Sequence, residues 1–286
     1  MKQFFPACQL RNLTLALAAC AALACPSFGQ GTNPNLIPEE QQKQNTDQQL
    51  KQRSLEQTPV ASAPKVDPQE EAAYKAFYDA KAADADTRIQ LGQDFVQKYP
   101  ASHYAESVYA GLTQAYYMKQ DWKDFYASGD KAVALNPDDA AILVMVGWVI
   151  PHGLDPNDPD AVKNLDKAER YEKHAIEVVG TMTKPASMTD DQFAQSKAAL
   201  LSQAHSGLGL IYFRLQQTDD SVKELQQATQ SATAPDPTDL FVLGVGLQSL
   251  SRFSEAADAF GRCGQIQSPL QDRCKQSADA AKKQAK

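Results

Sequence analysis

The sequence predicts an all-helical array of stacked helix–turn–helix units. Three observations carry that expectation. Ser206 to Ala228 (SGLGLIYFRLQQTDDSVKELQQA) and Leu240 to Cys263 (LFVLGVGLQSLSRFSEAADAFGRC) repeat one pattern at an offset of 35 residues, with Leu208-Gly209 falling on Leu243-Gly244, Ser221 on Ala256, Leu225 on Phe260 and Ala228 on Cys263. Apolar residues recur at helical spacing from Pro68 onward. A glycine also returns at one register of the first helix of a unit, as Gly147, Gly209 and Gly244. Glycine costs about 1 kcal/mol against alanine inside a helix, so its recurrence points to a neighbour that must approach closely.

Taken in order, residues 1–29 read as an export signal. Lys2 and Arg11 precede a short apolar stretch from Leu13 to Ala24, and Ala22-Leu23-Ala24 or Ser27-Phe28-Gly29 suits cleavage. Leu17-Ala18-Ala19-Cys20 offers an alternative, a lipobox in which Cys20 is lipidated and anchors the chain to a membrane. Residues 30–67 are rich in Gln, Asn, Pro and Thr, and read as a disordered linker with too little apolar surface to offset the entropy of ordering.

A helical domain is expected over 68–286. Its first unit, about 69–102, pairs a helix carrying Ala72 and Phe77 with one carrying Ile89, Phe95 and Val96, and Pro100 ends it. Ser102 is the expected cap of the next helix. The second unit, 106–139, carries Tyr109, Leu112, Tyr116 and Tyr117, a polar turn at Lys119-Gln120-Asp121, then Trp122, Phe125, Ala132 and a closing Pro137. The third, 140–180, is interrupted by PHGLDPNDPD (residues 151–160) in place of a short turn, and a break punctuated by Pro185 is expected from Gly180 to Ala186. A long helix from Thr189 or Asp190 leads into the fourth unit, 202–235. The fifth spans 237–270, and a polar capping helix over 270–286 closes the stack.

These spacings resemble the tetratricopeptide repeat, a unit of 34 residues. The resemblance rests on Tyr109, Leu112, Tyr116, Ala132 and Pro137 in the second unit, and on Gly147, Ala168 and Ala175 in the third. Leu208, Gly209, Tyr212, Leu225 and Ala228 carry it in the fourth, and Leu243, Gly244, Phe253, Ala256 and Phe260 in the fifth. Phe125 and Gly129 depart from it. The resemblance implies a right-handed superhelical solenoid whose concave face, formed by the first helix of each unit, binds a protein or peptide. By register that face is expected to hold Gln114, Tyr117, Met118, Trp148, Leu210, Phe213, Arg214, Phe241, Val245 and Gln248.

Chemistry is sparse. His103, His152, His174 and His205 stand in different units without metal-ligand spacing, and HExxH, GxSxG, GxGxxG and phosphate-loop signatures are missing. Asp155, Asn157, Asp158 and Asp160 lack the glycine and distal glutamate of a calcium loop. No catalytic residue, metal or cofactor is therefore expected. A net charge of -7 without a basic cluster argues against nucleic acid, and no apolar run reaches the roughly 18 residues of a membrane span. In an exported chain Cys263 and Cys274 are expected to pair across the turn before the last helix, the alternative being two buried thiols. The sequence thus suggests a scaffold for a protein partner in the bacterial periplasm or at the outer membrane, with a tethered, self-associating spacer as the first alternative and an enzyme of unrecognised type as the last.

Overall fold

The computed structural model describes residues 67–80, 84–155, 157–232 and 234–285. The expectations for residues 1–29, for Cys20 and for nearly all of the linker lie outside them. Among the described residues the chain forms eleven helices and no strand. They are α1 (Pro68–Asp79), α2 (Ala85–Lys98), α3 (Ala105–Lys119), α4 (Trp122–Leu135), α5 (Ala140–Gly153), α6 (Ala161–Thr181), α7 (Asp190–Arg214), α8 (Thr218–Ser231), α9 (Pro237–Ser249), α10 (Phe253–Gln265) and α11 (Gln271–Gln284).

Short polar side chains start many of these helices. Asp67, Asp84, Asp121, Asp139 and Asp236 each accept a bond from a backbone amide of the first turn, at 2.6–3.3 Å. Such a cap satisfies amides that have no carbonyl to bond within the helix. Thr189 and Gln192 cap α7 reciprocally, the Gln192 amide donating to Thr189 Oγ1 and the Thr189 amide to Gln192 Oε1.

Each helix packs on the next along the chain, and alternate helices also meet: α5 touches α7, α7 touches α9, and α9 touches α11. That order is a stack of helix pairs. One buried cluster runs from Phe77 and Phe95 through Leu112, Phe125 and Val146 to Ala168 and Ile211, and a second joins Leu225, Leu243, Leu247 and Phe260 to Ala278 and Ala281. Inside a pair, the second helix lays a large side chain on the glycine of the first. A Cβ on Gly209 would stand 2.5 Å from Leu225 Cγ, and one on Gly244 would stand 2.6 Å from Phe260 Cδ1.

Two details differ from the sequence reading. Ser102 is not the cap of α3. Tyr104 occupies that place without a side-chain bond, because the Ser102 hydroxyl accepts from the Tyr104 amide and is also bonded to Glu70. The insertion does not begin as a loop: α5 continues through Pro151 to Gly153, where the apolar face of the helix still has a core to fill and Ile150 and Pro151 are buried. The helix α6 ends at Thr181, inside the break expected from Gly180 to Ala186.

Candidate interaction face

The first helices of the units, α3, α5, α7 and α9, carry the residues expected on the inner face. On α3, Gln114 and Tyr117 are half-buried and Met118 is 50% exposed. Tyr117 meets Trp122 edge-on, with centroids 6.0 Å apart. On α7, Phe213 is 39% exposed and Arg214 is exposed, although partial desolvation of the guanidinium lowers its pKa from the usual value.

Of two further expected residues, one is buried and the other half-buried. Leu210 is buried in the second core cluster, where Val222, Leu225 and Leu243 also pack. Phe241 sits 5.6 Å from the Phe260 ring and beneath the Arg273 guanidinium, 4.6 Å from its centroid. Helical periodicity placed both on the correct helix. The cover that α10 and α11 lay over Phe241 comes from later in the chain. Val245 is half-buried against the same cluster, and Gln248 donates to Gln284 of α11 at 3.1 Å.

Trp148 ties the row together. Its indole N–H donates to Ser206 Oγ at 3.1 Å, and the Ser206 hydroxyl donates to Asp239 Oδ1 at 2.9 Å, linking α5, α7 and α9 in one chain of bonds. Burial is the main cause that lifts the Asp239 carboxyl to about 7, with the Asp236 charge adding to it and the Ser206 bond opposing it. The His152 ring lies 3.9 Å from that of Trp148, and its Nδ1 is 2.6 Å from the Trp148 carbonyl. Burial lowers His152, against the pull of that bond and of Asp236. Ser206, Asp239 and His152 were not among the expected face residues. A polar residue on each of three consecutive first helices was the available signal.

Two of the other histidines are engaged by carboxylates, while His103 is exposed with its ring 3.8 Å from that of Tyr104. His205 is paired with Glu224 at 2.6 Å and His174 with Asp138 at 2.8 Å. No group of three or more His, Cys, Asp or Glu able to hold a metal stands among the described residues. Asp155 and Asp158 accept from the backbone amides two residues ahead of each, as ordinary turn-forming aspartates do. Cys263 and Cys274 form a disulfide, with their Cα atoms 5.7 Å apart, joining α10 to α11. No helix among the described residues is long and apolar enough to cross a membrane.

No family model matches the chain, and no curated protein does. Among solved structures it is similar to TTC0263, a thermophilic tetratricopeptide-repeat protein of Thermus thermophilus. The match has 16% identity, covers 74% of this chain and 98% of the other, and has a TM-score of 0.45. It is also similar to the ArsTM double mutant of MamA RS-1, at 12% identity over 75% of this chain and 98% of the other, again with a TM-score of 0.45. The repeat architecture stands on the chain's own helix order and glycine register.

Proposed function

We propose that the protein is a non-enzymatic scaffold that binds a protein or peptide partner in the bacterial cell envelope through the inner row of α3, α5, α7 and α9. The observation that carries this reading is Phe213. An aromatic side chain 39% exposed on α7, the helix of the row that touches both α5 and α9, and followed by Arg214, is the kind of anchor that dominates protein recognition. Met118 is a second exposed apolar side chain, on α3. An envelope location is supported by the charged and apolar pattern of residues 1–29 and by the Cys263–Cys274 disulfide, which persists in oxidising compartments.

The test is cross-linked capture from the native envelope with the full chain, comparing wild type with a Met118→Ala, Phe213→Ala, Arg214→Ala triple variant. These side chains are exposed, so the variant is expected to keep its helical content. A saturable partner whose affinity drops by roughly tenfold or more in the variant supports the reading, since each lost anchor is worth about 1–2 kcal/mol. A partner bound equally by both places recognition elsewhere, and capture of the chain by itself alone favours a self-associating spacer.

A further inference from the structure

The second helix of the third unit carries a carboxyl group where the following units carry hydrocarbon. Leu225 and Phe260 stand four residues after Ser221 and Ala256, and Glu172 stands four residues after Ala168. Like them, Glu172 lies over its unit's glycine: a Cβ on Gly147 of α5 would be 2.7 Å from Glu172 Oε1. Gly207 of α7 closes the other side, and a Cβ there would overlap the same oxygen. The side chain therefore fills a slot between two helices that only glycine leaves open. It is 0% exposed, and neither carboxyl oxygen has a hydrogen-bond partner among the described residues. The same three helices contribute Leu143, Val144, Ala175 and Ala204 to a buried apolar cluster.

Among the described residues no charged side chain pairs with Glu172. On α5 the titratable side chain is His152, engaged with the Trp148 carbonyl. On α7 His205 is paired with Glu224, and Tyr212 donates to Glu169. On α6 itself Lys173 is paired with Glu169, Tyr171 donates to Asp130, and His174 is paired with Asp138. Arg214 and Asp239 act on His152 and Ser206 respectively. Burial alone holds the Glu172 carboxyl well above the usual carboxylate range.

One backbone bond is missing from the helix that walls the slot. Proline has no N–H, so Pro151 leaves the Gly147 carbonyl without the amide that a helix offers from four residues on. No bond joins it to Glu172, and a neutral carboxyl is far less costly in an unpartnered slot than a carboxylate.

We propose that Glu172 is a proton-operated latch in the joint between the third and fourth units. Protonated, its side chain stays in the slot between Gly147 and Gly207 and α6 remains seated on α5 and α7. Deprotonation breaks the carboxyl O–H bond and passes the proton to bulk water, and the carboxylate leaves the slot to be hydrated, parting α6 from its neighbours. The latch does not depend on what the inner face binds.

The test is amide hydrogen exchange of the full chain from mildly acidic to mildly alkaline pH, corrected for intrinsic exchange rates. Wild type is compared with Glu172→Gln, Glu172→Leu and Asp239→Asn. In wild type the opening constant of α6 is expected to be flat in acid and then to rise about tenfold per pH unit, the signature of one released proton. Glu172→Gln and Glu172→Leu are expected to abolish that slope, and Asp239→Asn to retain it. Leucine is the residue of the fourth unit at this register, so the comparison survives if the glutamine variant does not fold. A wild type without a slope overturns the latch, as does a slope that persists in Glu172→Leu or is removed by Asp239→Asn alone.

Discussion

Burial, reinforced by the charge of Asp236, gives the Asp239 carboxyl a folded pKa of about 7 against 3.8 for the ordinary group. A folded value above the unfolded one has a definite sign: the group's contribution to stability is full below the unfolded pKa and is lost as pH rises through the folded pKa. Thermal melts of Asp239→Asn are accordingly expected to show a flatter loss of stability between about pH 4 and about pH 7 than wild type. Glu172 has the same sign. Glu172→Leu is expected to stabilise the fold at mildly alkaline pH by about 1–3 kcal/mol, the cost of a buried polar group without a partner, measured by urea unfolding. Of these residues the sequence revealed little. The 35-residue offset aligns Leu225 with Phe260, but the insertion at 151–160 displaces Glu172 from that alignment. Ser206 and Asp239 lie 33 residues apart, in different units, so no local periodicity joins them.

The turns inside three units share a backbone state. Gln120, Gln216 and Ser251 each have φ between 57° and 60°, in the left-handed region. The amide of the next residue bonds back to Tyr116, Tyr212 and Leu247 respectively, at 2.8–3.0 Å, closing the helix end in the same way each time. Left-handed backbone costs a side-chain-bearing residue about 1–2 kcal/mol, part of which glycine returns through its larger unfolded entropy. Gln216→Gly and Ser251→Gly are each expected to raise the unfolding free energy by about 0.5–1 kcal/mol in urea titrations. Gly209→Ala is expected to act the other way, by about 1–3 kcal/mol, because its new methyl meets Leu225 with backbone close behind. The helices themselves were readable because apolar spacing and aspartate caps are local signals. The positive φ values were not, since neither glutamine nor serine marks such a turn as glycine would.

The stack as a whole closes with a covalent link. The disulfide spans 11 residues of sequence, and for a loop of that length the chain-entropy model gives about 3 kcal/mol. Cys274→Ser, or reduction of wild type, is expected to make the segment between α10 and α11 the first site of limited proteolysis, with α11 released before the inner helices are attacked. The two cysteines were legible from their place on either side of a turn. The openness of the inner row was not, because it depends on how far α11 and the neighbouring units cover Phe241 and Leu210. Nearest-neighbour packing has a mechanical consequence as well. Load applied along the stack passes through the joints in series, so the extension concentrates where a joint is softest. The slot that holds Glu172 sets the stiffness of one such joint, and ionising a single carboxyl would turn a stiff rod into one with a hinge at its middle.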